Sequence, residues 1–373
     1  MLSIFKLEYR LIIALAIAAL AFLSEHTVLA QGQLVSLAVA VLLIATIVQC
    51  SVRVAHHAEV LAAKVGEPYG TMILTLSAVL VEVIILAIMM TKDVSPTLVR
   101  DTIYSAVMLD INGILGLAAL LGGLKHGEQP YNDDSSKTYV VMIMTAMGIS
   151  MIVPEFIPDA KWHIYSAFTI VAMVVLYAVF LRMQVGAHSY FFSYSYPKAK
   201  RSAKAIAPDQ ASDLAHEDSE EVESVSVSVG VLIAGIVLIG FLAEIMSVLL
   251  DAGLEGTGAP PALMAVVVAG ISAAPEILTA LRAALANRMQ SVVNIAMGAS
   301  LSTVILTVPV MEGIALYTGQ PFIMAMTPLQ TVMVAITLIV AAINLNDGET
   351  NAIEGMTHFV LFATFVMLTL IGL

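Results

Sequence analysis

Apolar runs of about 20 residues, long enough to cross the ~30 Å hydrocarbon layer as helices, recur along the chain from Leu11 to Leu373. They predict spans near residues 10–23, 33–49, 70–90, 102–123, 138–157, 163–183, 227–250, 260–284, 290–313, 322–344 and 355–373. The pattern is that of an all-α polytopic membrane protein with about eleven transmembrane helices. Lys6 and Arg10 ahead of the first run, with Val28-Leu29-Ala30 after it, loosely resemble a signal peptide. The next run follows so closely that a first helical hairpin is the better expectation.

The long polar stretch 184–226 divides the chain. One leading helix (1–30) is followed by five helices before the loop (31–183) and five after it (227–373). Two copies of a five-helix unit would enter the membrane from opposite sides, because five is odd; this predicts inverted-topology repeats. The third and eighth predicted spans are equivalent in that scheme. Each carries one acidic residue near its middle, Glu82 and Glu276.

Charge fixes an orientation. With the N-terminus inside, thirteen of the sixteen Lys and Arg residues fall in cytoplasmic segments, and only Lys92, Arg100 and Lys161 lie outside. The expectation is a multi-pass protein of the plasma (inner) membrane with a cytoplasmic N-terminus and an external C-terminus. The loop has an aromatic, basic part (His188 to Lys204) and an acidic part holding Asp209, Asp213, Glu217, Asp218, Glu220, Glu221 and Glu223. The acidic part reads as a solvated linker, with a regulatory cation sensor as the sharper alternative.

Composition agrees: 60% of the 373 residues are hydrophobic and 12% charged, against roughly 45–50% and 25% in soluble domains. The net charge of −12 says little about substrate, since much of the acidic excess lies in the loop. The lone Cys50 excludes an intrachain disulfide, and with His56 and His57 it matches no zinc-ligand spacing. No cofactor or nucleic-acid partner is called for. There is no HExxH, GxSxG or phosphate-cradling glycine loop, so nothing nominates an enzyme.

An ionised side chain at mid-bilayer costs roughly 2.5–3.5 kcal/mol, so it persists only with a partner or a task. Glu82 and Glu276 have no basic neighbour in their own spans, and Arg282 belongs near a helix end, where it can snorkel. Two carboxylates brought together at the centre of an inverted repeat are neutralised either by protons or by a bound cation. These states exclude one another, which is the chemistry of antiport. The bland alternative is a pair of permanently protonated glutamates that hold helices together.

A hard cation needs further oxygens. In GISAAPEILTA, Pro275 lacks the N–H that would bond the carbonyl of Ile271, which predicts a helix broken beside Glu276. Ser272 lies one turn before that glutamate, and Ser300, Ser302 and Thr303 follow in the next span. The first half offers Thr75 and Ser77, with Asp110 and Asn112 in the following span. Asp110 reads equally as a third titrating group or as a cap for a helix break near Gly113. Glu155, Glu244, Glu312 and His358 fall toward span ends and read as interfacial.

On GEPYGTMILTLSAVLVEV (Gly66 to Val83), PEILTALRAALANRMQSVVNIAMGASLSTVILTVPV (Pro275 to Val310) and ETNAIEGMTHFVLFA (Glu349 to Ala363), the chain resembles the cation/proton exchangers of the Ca²⁺/cation antiporter superfamily. The likeness is strongest to the bacterial Cha-type calcium/sodium/potassium–proton antiporters. Relatives carry a motif like glycine-asparagine-alanine-x-glutamate in each half. Ala78 to Glu82 and Ser272 to Glu276 occupy those places, with the glutamates kept and both asparagines absent; Ser302 stands where many relatives have glutamine. The resemblance implies one plus five plus five helices, a midplane site and alternating access. Its substrates are inorganic cations and protons: Ca²⁺ first, because two carboxylates match a divalent charge, with Na⁺ or K⁺ as the alternative and a cation channel as the remaining rival.

Overall fold

The computed structural model describes residues 8–65, 69–90, 95–185, 189–192, 225–260, 262–319 and 322–373. The acidic stretch Asp209 to Glu223 lies outside the described residues. Eleven long helical segments follow one another: α1 (Tyr9–Ala30), α2 (Gln33–Val65), α3 (Tyr69–Met90), α4 (Leu98–His126), α5 (Asp133–Phe156), α6 (Trp162–Val185), α7 (Val225–Leu254), α8 (Ala262–Leu285), α9 (Met289–Thr318), α10 (Pro328–Asn344) and α11 (Ala352–Leu370). Nine of them are long and apolar enough to span a bilayer; α3 and α10 contribute shorter apolar helices. A two-residue antiparallel pair, β1 (Gln129–Pro130) with β2 (Glu349–Thr350), ties the two halves together at one end of the bundle.

The protein is a polytopic helical bundle of one leading helix and two inverted five-helix repeats, α2–α6 and α7–α11. Cross-packing between the repeats is reciprocal: α6 lies on α9, and α11 lies on α4. The equivalent helices α4 and α9 are both interrupted by π-helical turns, at Met108–Leu115 and Thr303–Thr307. Such turns shift the facing of every later side chain and recur at functional sites. α2 and α7 pack along one another, and α1 covers both with a buried alanine stripe, Ala14, Ala18 and Ala21. Small side chains let helix backbones approach closely where lipid offers no hydrophobic drive for association. Leucines and valines such as Leu15, Leu23, Val171 and Val175 point outward, as a lipid-facing surface requires.

Three expectations need correction. α2 runs 16 residues beyond its predicted end at 49; at 33 residues it is roughly 50 Å long, well over the bilayer core. Its extension carries Arg53 and His57, which both bond the Glu8 carboxylate ahead of α1. α10 starts at Pro328 rather than 322, behind a capping box formed by Thr327 and Gln330. Finally, α8 is continuous through Pro275. The interruptions at mid-membrane lie instead in α4 and α9.

Candidate cation site

Glu82 on α3 and Glu276 on α8 both line one cavity of about 1140 Å³, together with Ser77, Asp110, Ser272, Pro275, Ser302 and Thr303. Glu82 is 2% exposed, and one oxygen of each glutamate, Glu82 Oε1 and Glu276 Oε2, is buried with no hydrogen-bond partner among the described residues. The other Glu82 oxygen accepts from Thr303 Oγ1 at 2.9 Å. Thr303 opens the π turn of α9, so the interruption in one repeat aims a hydroxyl at the carboxylate of the other.

Asp110, on the π turn of α4, lines the same cavity. Its carboxyl is buried and accepts from Ser300 Oγ at 3.1 Å. Ser300 is behind it, away from the cavity wall. Among the described residues no three acidic or histidine side chains converge tightly enough to hold a metal ion together. The carboxylates surround an open chamber.

The serines are arranged to accept. Ser77 Oγ donates to the Ile73 carbonyl at 2.7 Å, Ser302 Oγ to that of Gly298 at 2.7 Å, and Ser272 Oγ to that of Ala269 at 3.0 Å. Each hydroxyl proton is thus occupied by the preceding turn, which leaves oxygen lone pairs for the cavity. Pro275 leaves the carbonyl of the buried Ile271 without its helical donor.

Asn112 goes elsewhere. Its side chain bonds Thr337 of α10 and His358 of α11, on the far side of α4 from Asp110, so it adds no oxygen to the cavity. His358 and Glu312, expected at the interface, are each 2% exposed and buried between helices. Both sit where the last helix of one repeat packs on the π-interrupted helix of the other. Glu155 is exposed.

The cavity runs from the carboxylates to the bundle end where α2 and α6 finish and α9 begins, lined there by Glu59, Gln184, Tyr190, Ser291 and Asn294. A short 3₁₀ turn, Ser189–Phe192, is docked at this mouth. Asn294 Nδ2 donates to the Phe192 carbonyl at 2.9 Å, and Asn132 Nδ2 to that of Tyr190 at 3.1 Å. The Phe192 ring packs on Tyr139 and Phe180, with both centroids 5.6 Å away. Sequence reasoning missed this mouth. A signal existed: Ser291, Asn294, Gly298 and Ser302 recur at helical spacing, a small polar stripe that lines the wall.

The sequence profile of the sodium/calcium exchanger protein family matches residues 34–186 and 227–371. Over 336 residues the chain is 33% identical to the sodium-potassium/proton antiporter ChaA of Escherichia coli (strain K12), covering 89% of each. It is 23% identical over 295 residues to a Ca²⁺/H⁺ antiporter of Aphanothece halophytica, covering 77% of each. The solved structure of the Ca²⁺/H⁺ antiporter YfkE superposes with a TM-score of 0.74 at 18% identity, over 98% of this chain and 99% of that one. With both halves matched and a relative this similar along most of its length, the chain belongs to the sodium/calcium exchanger protein family.

Proposed function

We propose that the protein exchanges a cation for protons by alternating access, with Glu82 and Glu276 carrying cation and protons in turn and Asp110 completing an acidic triad. One observation carries the reading: pseudo-equivalent helices of the two repeats place unpartnered, buried carboxylate oxygens on the wall of a single cavity. Protonated, the glutamates are neutral and tolerated in the membrane. Ionised, they need a compensating charge. A cation entering the cavity supplies it and displaces the protons, so the two cargoes are bound alternately.

Ca²⁺ is the first candidate. Two ionised glutamates balance a divalent charge, and Asp110, Ser77, Ser272 and Ser302 supply oxygens toward the six to eight that Ca²⁺ takes, with water making up the rest. Closure of the chamber around the ion would draw these groups into one shell. A Na⁺ or K⁺ exchange is the second reading, favoured by the 33% identity to a protein named for sodium, potassium and protons. The basic residues crowd the end where the cavity opens, so the mouth and the N-terminus face the cytoplasm. In this conformation cation loads from inside, and the outward-facing state releases it and takes up protons.

The test is proton movement in proteoliposomes carrying the purified protein and a pH-sensitive dye, with separate additions of Ca²⁺, Na⁺ and K⁺. Proton flux that follows one ion and disappears in Glu82→Gln and Glu276→Gln establishes exchange and names its cation. Cation flux indifferent to an imposed pH gradient would show a channel instead.

A further inference from the structure

The π turn of α4 carries two buried polar side chains that face opposite ways. Asp110 points at α9 and the cavity, whereas Asn112 points at α10 and α11. Two residues at roughly 80–100° each separate them by close to half a turn. Rotation of this turn about its axis therefore moves both together. Asn112 is held at each end of its amide: Nδ2 donates to Thr337 Oγ1 at 2.7 Å, and Oδ1 accepts from His358 Nδ1 at 2.9 Å. Thr337 Oγ1 in turn donates a hydrogen bond to Met108 Sδ at 3.5 Å, back on the same π turn. His358 Nε2 has no partner among the described residues, so this imidazole acts through its Nδ1–H alone.

The partners of Asn112 are themselves seated firmly. A Cβ on Gly116 would lie 2.8 Å from both His358 Cβ and the Phe359 nitrogen, and one on Gly355 would lie 2.7 Å from the Ala119 carbonyl carbon. α11 thus rests backbone to backbone on α4, immediately beside the turn. Close packing fixes the distance between the helices. The hydrogen bonds to a single amide fix the rotation of the segment between them.

We infer that His358 and Thr337 are positioning residues for the exchange reaction: through Asn112 they hold the rotation of the α4 π turn that stands Asp110 against Ser300 at the cavity wall. The inference rests on the reading of Asp110 as part of the cation site. Its consequence is a specific one. Loss of the clamp weakens capture of the cation without slowing the turnover of protein that has captured it.

The experiment measures proton flux against cation concentration in proteoliposomes of the full chain, using whichever of Ca²⁺, Na⁺ and K⁺ drives flux. The variants are Asp110→Asn, His358→Leu, His358→Asn and the double variant Asp110→Asn/His358→Leu. Leucine keeps the bulk of His358 and removes its donor; asparagine returns a donor near the place of Nδ1. His358→Leu is expected to raise the half-saturating cation concentration about tenfold, the scale of one lost buried hydrogen bond, with the maximal rate within about twofold. His358→Asn restores it to within about twofold, and the double variant is no worse than Asp110→Asn alone. Should His358→Leu accumulate poorly, Thr337→Val removes the other anchor at nearly constant shape and is expected to shift the same parameter. An unchanged half-saturation in both anchor variants, alongside a shifted one in Asp110→Asn, overturns the clamp and spares the site. A silent Asp110→Asn overturns the site reading of that residue, and the clamp with it.

Discussion

The hydroxyl of Thr303 bonds the carboxylate of Glu82 at 2.9 Å across the two repeats, so the first repeat's half of the site is finished by the second. α9 serves the first repeat twice, through Thr303 on Glu82 and Ser300 on Asp110. Loss of the first contact is informative because the remaining Glu82 oxygen is already unpartnered. Thr303→Val leaves the whole carboxylate without a donor when ionised, and a hydrogen bond to a charged group contributes about 1.5–3 kcal/mol. The half-saturating cation concentration is expected to rise at least tenfold, while Thr303→Ser stays close to the parent. Equal values for valine and serine would mean that the hydroxyl does not support the charge.

Accessibility gives a test independent of transport. Ser302 lines the cavity, whereas Thr307, one π turn further along α9, is fully buried and outside it. Cys50 is the sole thiol and is buried, so a Cys50→Ala background is silent to reagents. In it, Ser302→Cys is expected to react with a water-soluble maleimide added at the cavity mouth, and Thr307→Cys to remain unmodified over the same time. Adding the transported cation should slow the first reaction. Equal labelling at both positions would contradict a cavity that ends at the carboxylates.

The mouth makes its own prediction. Asn294 and the rings of Tyr139 and Phe180 hold the Phe192 turn against the wall. Phe192→Ala removes an aromatic cluster contact of about 0.5–1.5 kcal/mol and widens the entrance. Maleimide labelling of Ser302→Cys is therefore expected to quicken severalfold, with the cation affinity of the carboxylates little changed. A slower reaction would show that the turn keeps the mouth open.

Much of this molecule is legible in its sequence because the bilayer imposes a crude and strong rule. The starts and ends of α3 to α9 fall within a few residues of the apolar runs, with α4, α5 and α9 extended by up to about one turn. Where polar residues continue a helix, hydropathy fails. Arg53, His57 and Lys64 look like a loop, yet α2 runs on through them because α7 packs alongside and the Glu8 carboxylate bonds the first two. The true start of α10 was legible in another signal, the capping residues Thr327 and Gln330 around Pro328, which the apolar stretch before them masks. In the site, Glu82 and Glu276 announce themselves by burial cost alone. Asn112 could not be placed, because its facing depends on a π turn that no local pattern in residues 108–115 declares.

The link between the leading helix and α2 predicts a dependence on pH. Burial pushes the Glu8 carboxyl up, but the hydrogen bonds and charge of Arg53, joined by His57, outweigh it and hold Glu8 below the usual carboxylate range. A carboxyl depressed in the folded protein contributes stability that is present above its unfolded value, about 4.3 for glutamate. That contribution drains away as the pH falls through the folded value. Glu8→Gln should therefore cost about 2 kcal/mol at pH 7, read as a lower thermal midpoint in detergent micelles. Repeated at pH 3.5, the gap between the parent and the variant should narrow, because acid protonates Glu8 in the parent and leaves glutamine untouched. A gap that stays constant across that range would assign the effect to packing of the side chain, with Arg53 and His57 drawing no stability from the charge.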